Sequence, residues 1–262
     1  MSKNPEYLYV YKNFLTGNIP DEFSNLNSLT RFRLGDNLFT FGAAGGAETY
    51  PFPTAVFNIP NLEELNIERS LIGGELPPTI GNLKSLLKLH VNDNEIEGFL
   101  PTEIGAMESL EELAVDDNNL KGPIPTEIGN LINLNLLKMH RNMFDGAIPT
   151  EFGNLKLLED LSLYGNQLTS ISSELGGMSN IRIFDAGSNR ISGPIPPNFE
   201  RMGWDGNNDN LEVLVLDQNQ LTGNIPTEFG FCVELKTLRL NENRLNGKIP
   251  TSLGDMIKIG KH

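Results

Sequence analysis

The sequence predicts an α/β solenoid, a right-handed β/α superhelix with a concave parallel β-sheet and convex short helical turns. Three observations predict it: an asparagine that recurs mostly every 24 residues, alternating apolar residues before it, and glycine and proline at fixed places after it. One such unit cannot cover its own apolar side, so about ten stacked copies must share a continuous core. We therefore expect a single domain over residues 1–262.

The asparagine spacing defines the repeat, whose phrase is L-x-x-L-x-L-x-x-N-x-L-x-G-x-I-P-x-x-L-G-x-L. Ser70 stands at one of the asparagine positions. Because an amide carries both a donor and an acceptor, we expect each asparagine to be buried and to satisfy backbone groups of its own and the neighbouring coil. This predicted asparagine ladder consists of Asn13, Asn37, Asn94, Asn118, Asn142, Asn166, Asn189, Asn219 and Asn243.

Each part of the phrase predicts a local structure, as the fifth copy illustrates. The apolar alternation around Leu113 predicts a short strand with inward-facing side chains. Gly122 permits a turn with positive φ, and Pro125 fixes φ while removing a donor. The following Thr126 and Glu127 suit the start of a short helical turn, with threonine as the cap and glutamate at the positive end of the dipole.

Three repeats depart from this phrase. Residues 42–50 add a glycine-rich segment, for which we expect either a mobile loop at one edge or a role in gripping a partner. Residues 202–208 lengthen the eighth repeat and contain Trp204, which either folds back over the widened coil or anchors an interface. Residues 168–175 carry serines where glycine and proline are expected, so the curvature or twist should change there.

Charge and cysteine content exclude several classes of protein. The formal charge is −14 and the pI is about 4.6, so phosphate backbones and anionic lipids would repel the chain. We therefore predict no nucleic-acid partner and no direct membrane contact within this chain. Cys232 is the single cysteine, which excludes an internal disulfide and a four-thiolate metal site, and we expect it to be buried and inert.

The histidines do not predict a catalytic or metal centre. His90 and His140 lie two coils apart, so they cannot share a metal, and no serine is expected beside either. Asp93 and Asp117 occupy equivalent sites on adjacent coils, but Arg141 follows in their row and opposes a calcium ion. The sequence therefore predicts neither an enzyme nor a cofactor nor a metal site.

The segment L-x-G-x-I-P resembles the plant-type leucine-rich repeat. It stands here as residues 15–20, 120–125, 191–196, 221–226 and 245–250. The resemblance implies about ten 24-residue leucine-rich repeats that recognise a protein or peptide on the concave or lateral face, most often within a receptor-like signalling protein. An intracellular leucine-rich repeat scaffold and an inhibitor of a secreted cell-wall hydrolase, in the manner of polygalacturonase inhibitors, stay open as alternatives.

The resemblance also bears on the ends of the chain. Ectodomains of receptor-like kinases and receptor-like proteins usually carry cysteine-paired caps, so we expect this chain to lack both terminal caps. It shows neither an export signal nor a membrane-spanning run. A cytoplasmic location is expected for a complete protein, and a cell-surface or extracellular one for a fragment of a receptor-like protein.

Residues beside the inward strand positions should face the concave surface. The predicted partner-binding residues on this face are Tyr7, Tyr9, Tyr11, Arg31, Arg33, His90, Glu112, Asp116, Lys138, His140, Arg141, Tyr164, Asp185, Asp217 and Arg239.

Two clusters stand out among the predicted binding residues. The first joins three tyrosines of repeat one to two arginines of repeat two, residue types that favour interfaces, unless this edge contacts a preceding coil or cap. The second places Asp116 and Asp117 beside Lys138, His140 and Arg141, either as a binding patch or as charges that neutralise one another.

Overall fold

A ten-stranded parallel sheet forms the concave side of the molecule. The computed structural model describes residues 5–39, 54–204 and 210–254, so the insertion at 42–50 and most of that at 202–208 lie outside the described residues. This sheet confirms the predicted parallel solenoid. We number the coils one to ten after its strands. The strands are Tyr7–Tyr9, Arg31–Arg33, Glu64–Asn66, Lys88–His90, Glu112–Ala114, Leu136–Lys138, Asp160–Ser162, Ile183–Asp185, Val213–Val215 and Thr237–Arg239.

The middle residue of each concave strand points into one continuous core. Leu113 and Leu137 are fully buried, and Phe32 and Phe184 fill the same position in coils two and eight. Each large side chain buried in this way contributes about 1.5–3 kcal/mol. The flanking positions of each strand are left for the concave surface, as the alternation predicts.

Short 3-10 helices form the convex side, as the phrase predicts. Threonine does not cap them, however: Pro125 holds the N-cap position with φ −60° and ψ 130°, and its carbonyl accepts the N–H of Ile128. Thr126 is the first helical residue, and its hydroxyl contacts Glu127 at 3.3 Å. The helices span Asp21–Asn25, Thr54–Asn58, Pro78–Asn82, Thr102–Ala106, Thr126–Asn130, Thr150–Asn154, Ser173–Gly177, Pro197–Arg201, Thr227–Phe231 and Thr251–Gly254.

A second set of strands, which the sequence did not predict, lies along the flank. The L-x-G-x-I-P segments pair in parallel despite their glycines, because Gly122 takes φ +76° within its strand. Five strands form one flanking sheet and three form another. They span Gly73–Glu75, Glu95–Phe99, Asn119–Pro123, Met143–Ala147 and Gln167–Ser170, then Ser192–Pro194, Gln220–Asn224 and Arg244–Asn246.

The flanking sheet is interrupted at the irregular seventh repeat. The register slips where Gly146 and Ala147 pair with that repeat, and no ladder pairing joins Gln167–Ser170 to Ser192–Pro194 among the described strands. Ser170 occupies the position at which the other flanking strands have a glycine with positive φ, such as Gly122 and Gly146. The local change expected from residues 168–175 therefore falls on the flank, whereas the concave sheet continues without a break.

The asparagine ladder joins successive coils, except at coil three, where Ser70 replaces the asparagine and donates to Glu68 of its own coil. Asn142 donates from Nδ2 to the carbonyl of Val115, one coil back, at 2.9 Å, and to that of Met139 at 3.4 Å. Its Oδ1 accepts the N–H of Leu120 at 3.0 Å. The predicted role of the buried amide is therefore confirmed for the inner coils. Asn13 of coil one corrects the prediction: it is exposed, because no described coil precedes it, and it donates to Val10 and Tyr11 of its own coil.

The residue before each ladder position adopts a left-handed backbone. Asp117 has φ 49° and Arg141 has φ 50°, and the same holds in every described coil, with Gly165 at this place in coil seven. This conformation costs about 1–2 kcal/mol for a residue with a Cβ. It turns the chain sharply out of the concave strand, so the charged side chain stays beside the sheet.

Candidate functional site

The parallel register sets the concave side chains in rows that run along the solenoid. Tyr7 lies opposite Arg31, and Tyr9 lies opposite Arg33. Strands in one sheet are about 4.8 Å apart, so side chains in a row contact those of the next coil. Residues 24 or so apart in sequence therefore interact as neighbours on this face.

The tyrosine–arginine cluster forms as predicted at the first two coils. The Arg31 guanidinium lies 5.4 Å from the Tyr7 ring centroid, and that of Arg33 lies 5.2 Å from the Tyr9 ring. Such cation–π contacts contribute about 0.5–1 kcal/mol at exposed sites. Tyr7, Tyr9 and Tyr11 remain 53%, 46% and 46% exposed. The arginines thus order the rings while leaving their outer faces open.

A shallow cavity of about 180 Å³ continues from this cluster over coils two and three. Arg69 donates to Asp36 at 2.7 Å and to Glu68 at 2.9 Å. The hydrogen bond from Arg69 lowers the pKa of Asp36 below its ordinary value. The cavity is lined by Tyr11, Lys12, Arg33, Gly35, Asp36, Asn66, Glu68 and Arg69.

His90 and Glu112 pair across coils four and five. His90 Nε2 lies 2.9 Å from Glu112 Oε2, and Lys88 Nζ lies 2.5 Å from Oε1. Burial by itself would raise the pKa of Glu112, but the hydrogen bond and charge of Lys88, with help from His90, lower it below its ordinary value. Both oxygens of this carboxylate are therefore occupied by side chains of the preceding coil.

The central charged cluster is assembled by coils five and six. His140 Nε2 lies 3.4 Å from Asp116 Oδ2 and 3.4 Å from Asp117 Oδ2. Arg141 Nη1 lies 3.4 Å from the other oxygen of Asp117. Asp93, which occupies the site equivalent to Asp117 on the preceding coil, accepts a hydrogen bond from Asn92.

Two polar atoms of this central cluster lack hydrogen bonds within the described part of the chain. The Oδ1 of Asp116 and the Nδ1 of His140 are both buried without a hydrogen-bond partner among the described residues. Burial raises the pKa of Asp116 above its ordinary value, against the opposing charges of His140 and Lys138. The predicted neutralisation of these charges is thus incomplete, since the imidazole contacts two carboxylates without a hydrogen bond to either.

Two carboxylates in the last coils, those of Asp185 and Asp217, are engaged by hydrogen bonds on the concave side. Asp217 is only 2% exposed, and its Oδ2 accepts a hydrogen bond from Arg239 at 2.6 Å. Asp185 accepts the N–H of Gly187 at 3.0 Å, and burial raises its pKa. The structure therefore differs from the sequence prediction at Asp217, which lies in the expected row but is covered. Tyr164 lies in the same row two coils earlier and is half-buried.

The predicted binding residues do not converge on one point. They are spread over every coil except coil three and form separate groups: the aromatic cluster, the pair around Glu112, the central cluster and the contacts of Asp217. This arrangement suits an elongated partner that crosses several coils. It does not resemble a cleft that encloses a small molecule.

The sequence missed one apolar patch on the convex side. Trp204 is 52% exposed, and Phe231 is 71% exposed. They line a cavity with Glu200 and Arg201. The tryptophan therefore only partly covers its coil. Cys232, beside Phe231, is fully buried as expected.

None of the helices in the described ranges is long and apolar enough to cross a bilayer. Those helices are single 3-10 turns of four or five residues.

Together the stacked coils, the buried ladder and the open sheet define a solenoid repeat protein. The chain belongs to the leucine-rich repeat family, because the family model described as Leucine Rich Repeat matches more than half of it. The matched residues are 4–26, 61–83, 109–131, 180–202, 210–232 and 234–256. The ladder, the 24-residue period and the flanking strands mark it as the plant type.

Several proteins similar to the chain are plant receptors. It is 40% identical over 77 residues, 29% of its length, to the LRR receptor-like serine/threonine-protein kinase GSO2 of Arabidopsis thaliana. Its fold matches the plant peptide hormone receptor RGFR1 in complex with RGF2, with a TM-score of 0.82 and 30% identity over 95% of the chain. It also matches the Arabidopsis receptor kinase HAESA in complex with the peptide hormone IDA and the co-receptor SERK1, with a TM-score of 0.75 and 29% identity over 97% of the chain.

The chain spans only part of these proteins. It covers 6% of GSO2, 41% of the RGFR1 chain and 44% of the HAESA chain. A plant ice-binding protein shares the fold at 23% identity with a TM-score of 0.76. The resemblance to receptors thus concerns a leucine-rich repeat module, which in such ectodomains is typically a non-catalytic, ligand-binding part.

Proposed function

We propose that this chain is a recognition module that binds a protein or peptide on its concave face, as part of a receptor-like signalling protein. Two neighbours with at least 29% identity over nearly the whole chain are plant receptors. One was solved in complex with RGF2, and the other in complex with the peptide hormone IDA and the co-receptor SERK1. They support a peptide or protein as the partner class. The concave face supplies the surface on which such a partner would lie.

The observation that carries this proposal is the exposed aromatic and basic surface at coils one to three. Tyr7, Tyr9 and Tyr11 leave about half of their area open, and Arg31 and Arg33 hold two of the rings in place. Tyrosine and arginine bury large area on binding and keep a polar tip, so they dominate many binding energies. Ordered rings lose little conformational freedom when a partner arrives.

Binding rather than catalysis fits the chemistry of this face. Within the described residues, His90 contacts a carboxylate and His140 contacts two, and neither has a serine or cysteine hydroxyl or thiol as a hydrogen-bond partner. A nucleophile–base pair of the kind used in acyl transfer is therefore not assembled in this part of the chain.

The inhibitor alternative is supported less well than peptide recognition, because one carboxylate of the acidic patch that it needs is paired. It required a free acidic patch around Glu112, Asp116 and Asp117. Glu112 is instead paired with Lys88 and His90. A basic enzyme surface would thus meet a carboxylate whose charge is already compensated.

A peptide display library selected on the wild-type chain tests the proposal. Enriched peptides are measured by calorimetry against Lys138→Glu and Arg141→Glu, which reverse charge on the concave face. The matched controls are Lys121→Glu and Arg190→Glu, on exposed residues of the flank with no ion pair in the described structure. We expect both concave variants to weaken binding at least about tenfold, or about 1.4 kcal/mol, and the flank variants to leave it unchanged. Equal losses in both sets, with all variants folded by circular dichroism, would contradict a concave binding site.

A further inference from the structure

Three metal-ligating atoms meet in the central cluster of the concave face. Asp116, Asp117 and His140 each offer one ligand atom, and these atoms all lie within 4.8 Å of one another. Asp116 and His140 occupy the same row on adjacent coils, and the left-handed backbone at Asp117 keeps its carboxylate beside them. The ladder and the backbone bond from Asp117 N–H to His140 carbonyl, 2.9 Å, hold the two coils in register. The three groups are therefore fixed by the fold.

The distances between these atoms fit a shared cation better than a hydrogen bond. His140 Nε2 lies 3.4 Å from each carboxylate oxygen, whereas an N–H···O bond between charged groups measures about 2.7–2.9 Å. In a tetrahedral site with bonds of about 2.1 Å, neighbouring ligand atoms are about 3.4 Å apart. The imidazole thus stands equally far from both oxygens, at the edge length of a coordination tetrahedron.

A second observation independent of this spacing points to a ligand. The Asp116 side chain is only 9% exposed, and its Oδ1 has no hydrogen-bond partner among the described residues, while its Oδ2 faces His140. A buried carboxylate with an unsatisfied oxygen is costly to keep, by about 1–3 kcal/mol or more for a charged group. A bound cation would compensate this carboxylate directly.

The neighbouring charges set the strength of the site. Arg141 lies 3.4 Å from the second oxygen of Asp117, which orients that carboxylate and leaves Oδ2 toward His140. Lys138 lies near Asp116 and opposes a second positive charge. The unpartnered Nδ1 of His140 means that the ring lacks the usual outer hydrogen bond, which weakens metal affinity about 10–100-fold.

We propose that Asp116, Asp117 and His140 form a binding site for one divalent transition-metal ion of the zinc type. One imidazole nitrogen with two carboxylate oxygens suits Zn²⁺, Co²⁺ or Ni²⁺ better than Ca²⁺, which takes six to eight oxygens. The protein supplies three ligands, so the remaining position faces the concave surface and is free for water or for a donor group of a bound partner.

Titration of the purified chain with Zn²⁺ alone, followed by calorimetry, tests this site. We expect one equivalent per chain with a dissociation constant on the order of micromolar, given the three ligands and the absent outer partner. Co²⁺ is expected to give the visible absorption bands of a tetrahedral complex, and Ca²⁺ and Mg²⁺ to give no saturable binding. His140→Ala, Asp116→Asn and Asp117→Asn should each weaken Zn²⁺ binding at least about tenfold.

Matched controls distinguish this site from other ligands of the chain. His90→Ala removes the other histidine of the concave sheet, Asp93→Asn removes the equivalent aspartate of the preceding coil, and His262→Ala removes the third histidine of the sequence. These three variants should bind Zn²⁺ as the wild type does. If His140→Ala fails to fold, the isosteric Asp116→Asn and Asp117→Asn decide the result. The proposal is overturned if the wild type shows no saturable binding, or if the controls lose as much affinity as the site variants.

Discussion

The amide of Asn118 donates to the carbonyl of Val91, in the coil before its own, at 3.0 Å. The same nitrogen donates to Val115 at 3.2 Å, and the amide oxygen accepts the N–H of Ile96 at 3.0 Å. One side chain therefore ends the concave strand of its own coil and ties it to the preceding coil. Repetition of this arrangement ties successive strands of the concave sheet together.

Replacing Asn118 with alanine is expected to lower the free energy of unfolding by about 3 kcal/mol, because buried backbone groups lose their partners at about 1–3 kcal/mol each. The control is Asn119→Ala, at the exposed neighbour, which should change stability by less than about 0.5 kcal/mol. Urea denaturation followed by circular dichroism measures both. Similar values for the two variants would show that the ladder contributes little to stability.

Gly129→Ala is expected to destabilise the convex side by about 1–3 kcal/mol, as overpacking does. A Cβ at this place would lie 2.7 Å from the carbonyl oxygen of Glu151 in the next coil, and closer still to the Cβ of that residue. Gly254→Ala is the matched control, because a Cβ there would meet no atom of the described residues within 4 Å. Thermal unfolding of both variants checks the expectation, and an unchanged midpoint for Gly129→Ala would mean that the turns pack more loosely than described.

Asp160→Asn is expected to stabilise the protein at neutral pH. Burial raises the pKa of Asp160 above its ordinary value, so the folded state disfavours the charged form relative to the unfolded state. The resulting penalty is present at pH 7 and disappears as the pH falls through the folded pKa to the ordinary one. At pH 7 the variant should therefore unfold at a higher temperature than the wild type. At about pH 3 the two proteins should unfold at the same temperature. The exposed Asp145→Asn is the control, and a lower midpoint for Asp160→Asn at pH 7 would contradict the assigned cause.

Glu212→Gln is expected to destabilise the protein at neutral pH. Hydrogen bonds from Lys236 at 2.7 Å and Arg182 at 2.8 Å lower the pKa of Glu212 to about 2. Their stabilisation is therefore present above the ordinary carboxyl pKa and is lost as the pH falls from there toward 2. At pH 7 the variant should have a lower melting temperature than the wild type. This difference in melting temperature should shrink at about pH 2–3, and also in about 1 M NaCl because Lys236 and Arg182 are exposed to solvent. A difference that salt does not alter would argue against ion pairing as its origin.

The sequence predicted the features that depend on period and on apolar contact. The repeat length, the concave strands around Leu113 and the buried role of Asn118 all follow from one short phrase, because most copies pack against a neighbour of the same pattern. Proximity of the tyrosines to Arg31 and Arg33 follows from the same register.

Other features depend on backbone conformation that the residue types do not determine. The flanking strands form although their glycines suggested turns only, because Gly122 combines positive φ with ladder pairing. The left-handed backbone at Asp117 occurs at a residue with a Cβ, so no glycine signals it, yet it brings that carboxylate to His140. The sequence therefore predicted a binding patch or mutual charge neutralisation for the central cluster, but not a three-ligand arrangement.

A crystal structure of the chain bound to a display-selected peptide tests the central claim most directly. The proposal predicts a peptide that crosses the concave strands of several coils, with contacts to Tyr9 and Arg33 at one end or to Lys138 and Arg141 at the middle. A peptide that lies on the convex 3-10 turns or on the flanking strands, with the concave tyrosines and Lys138 free of contact, would contradict it.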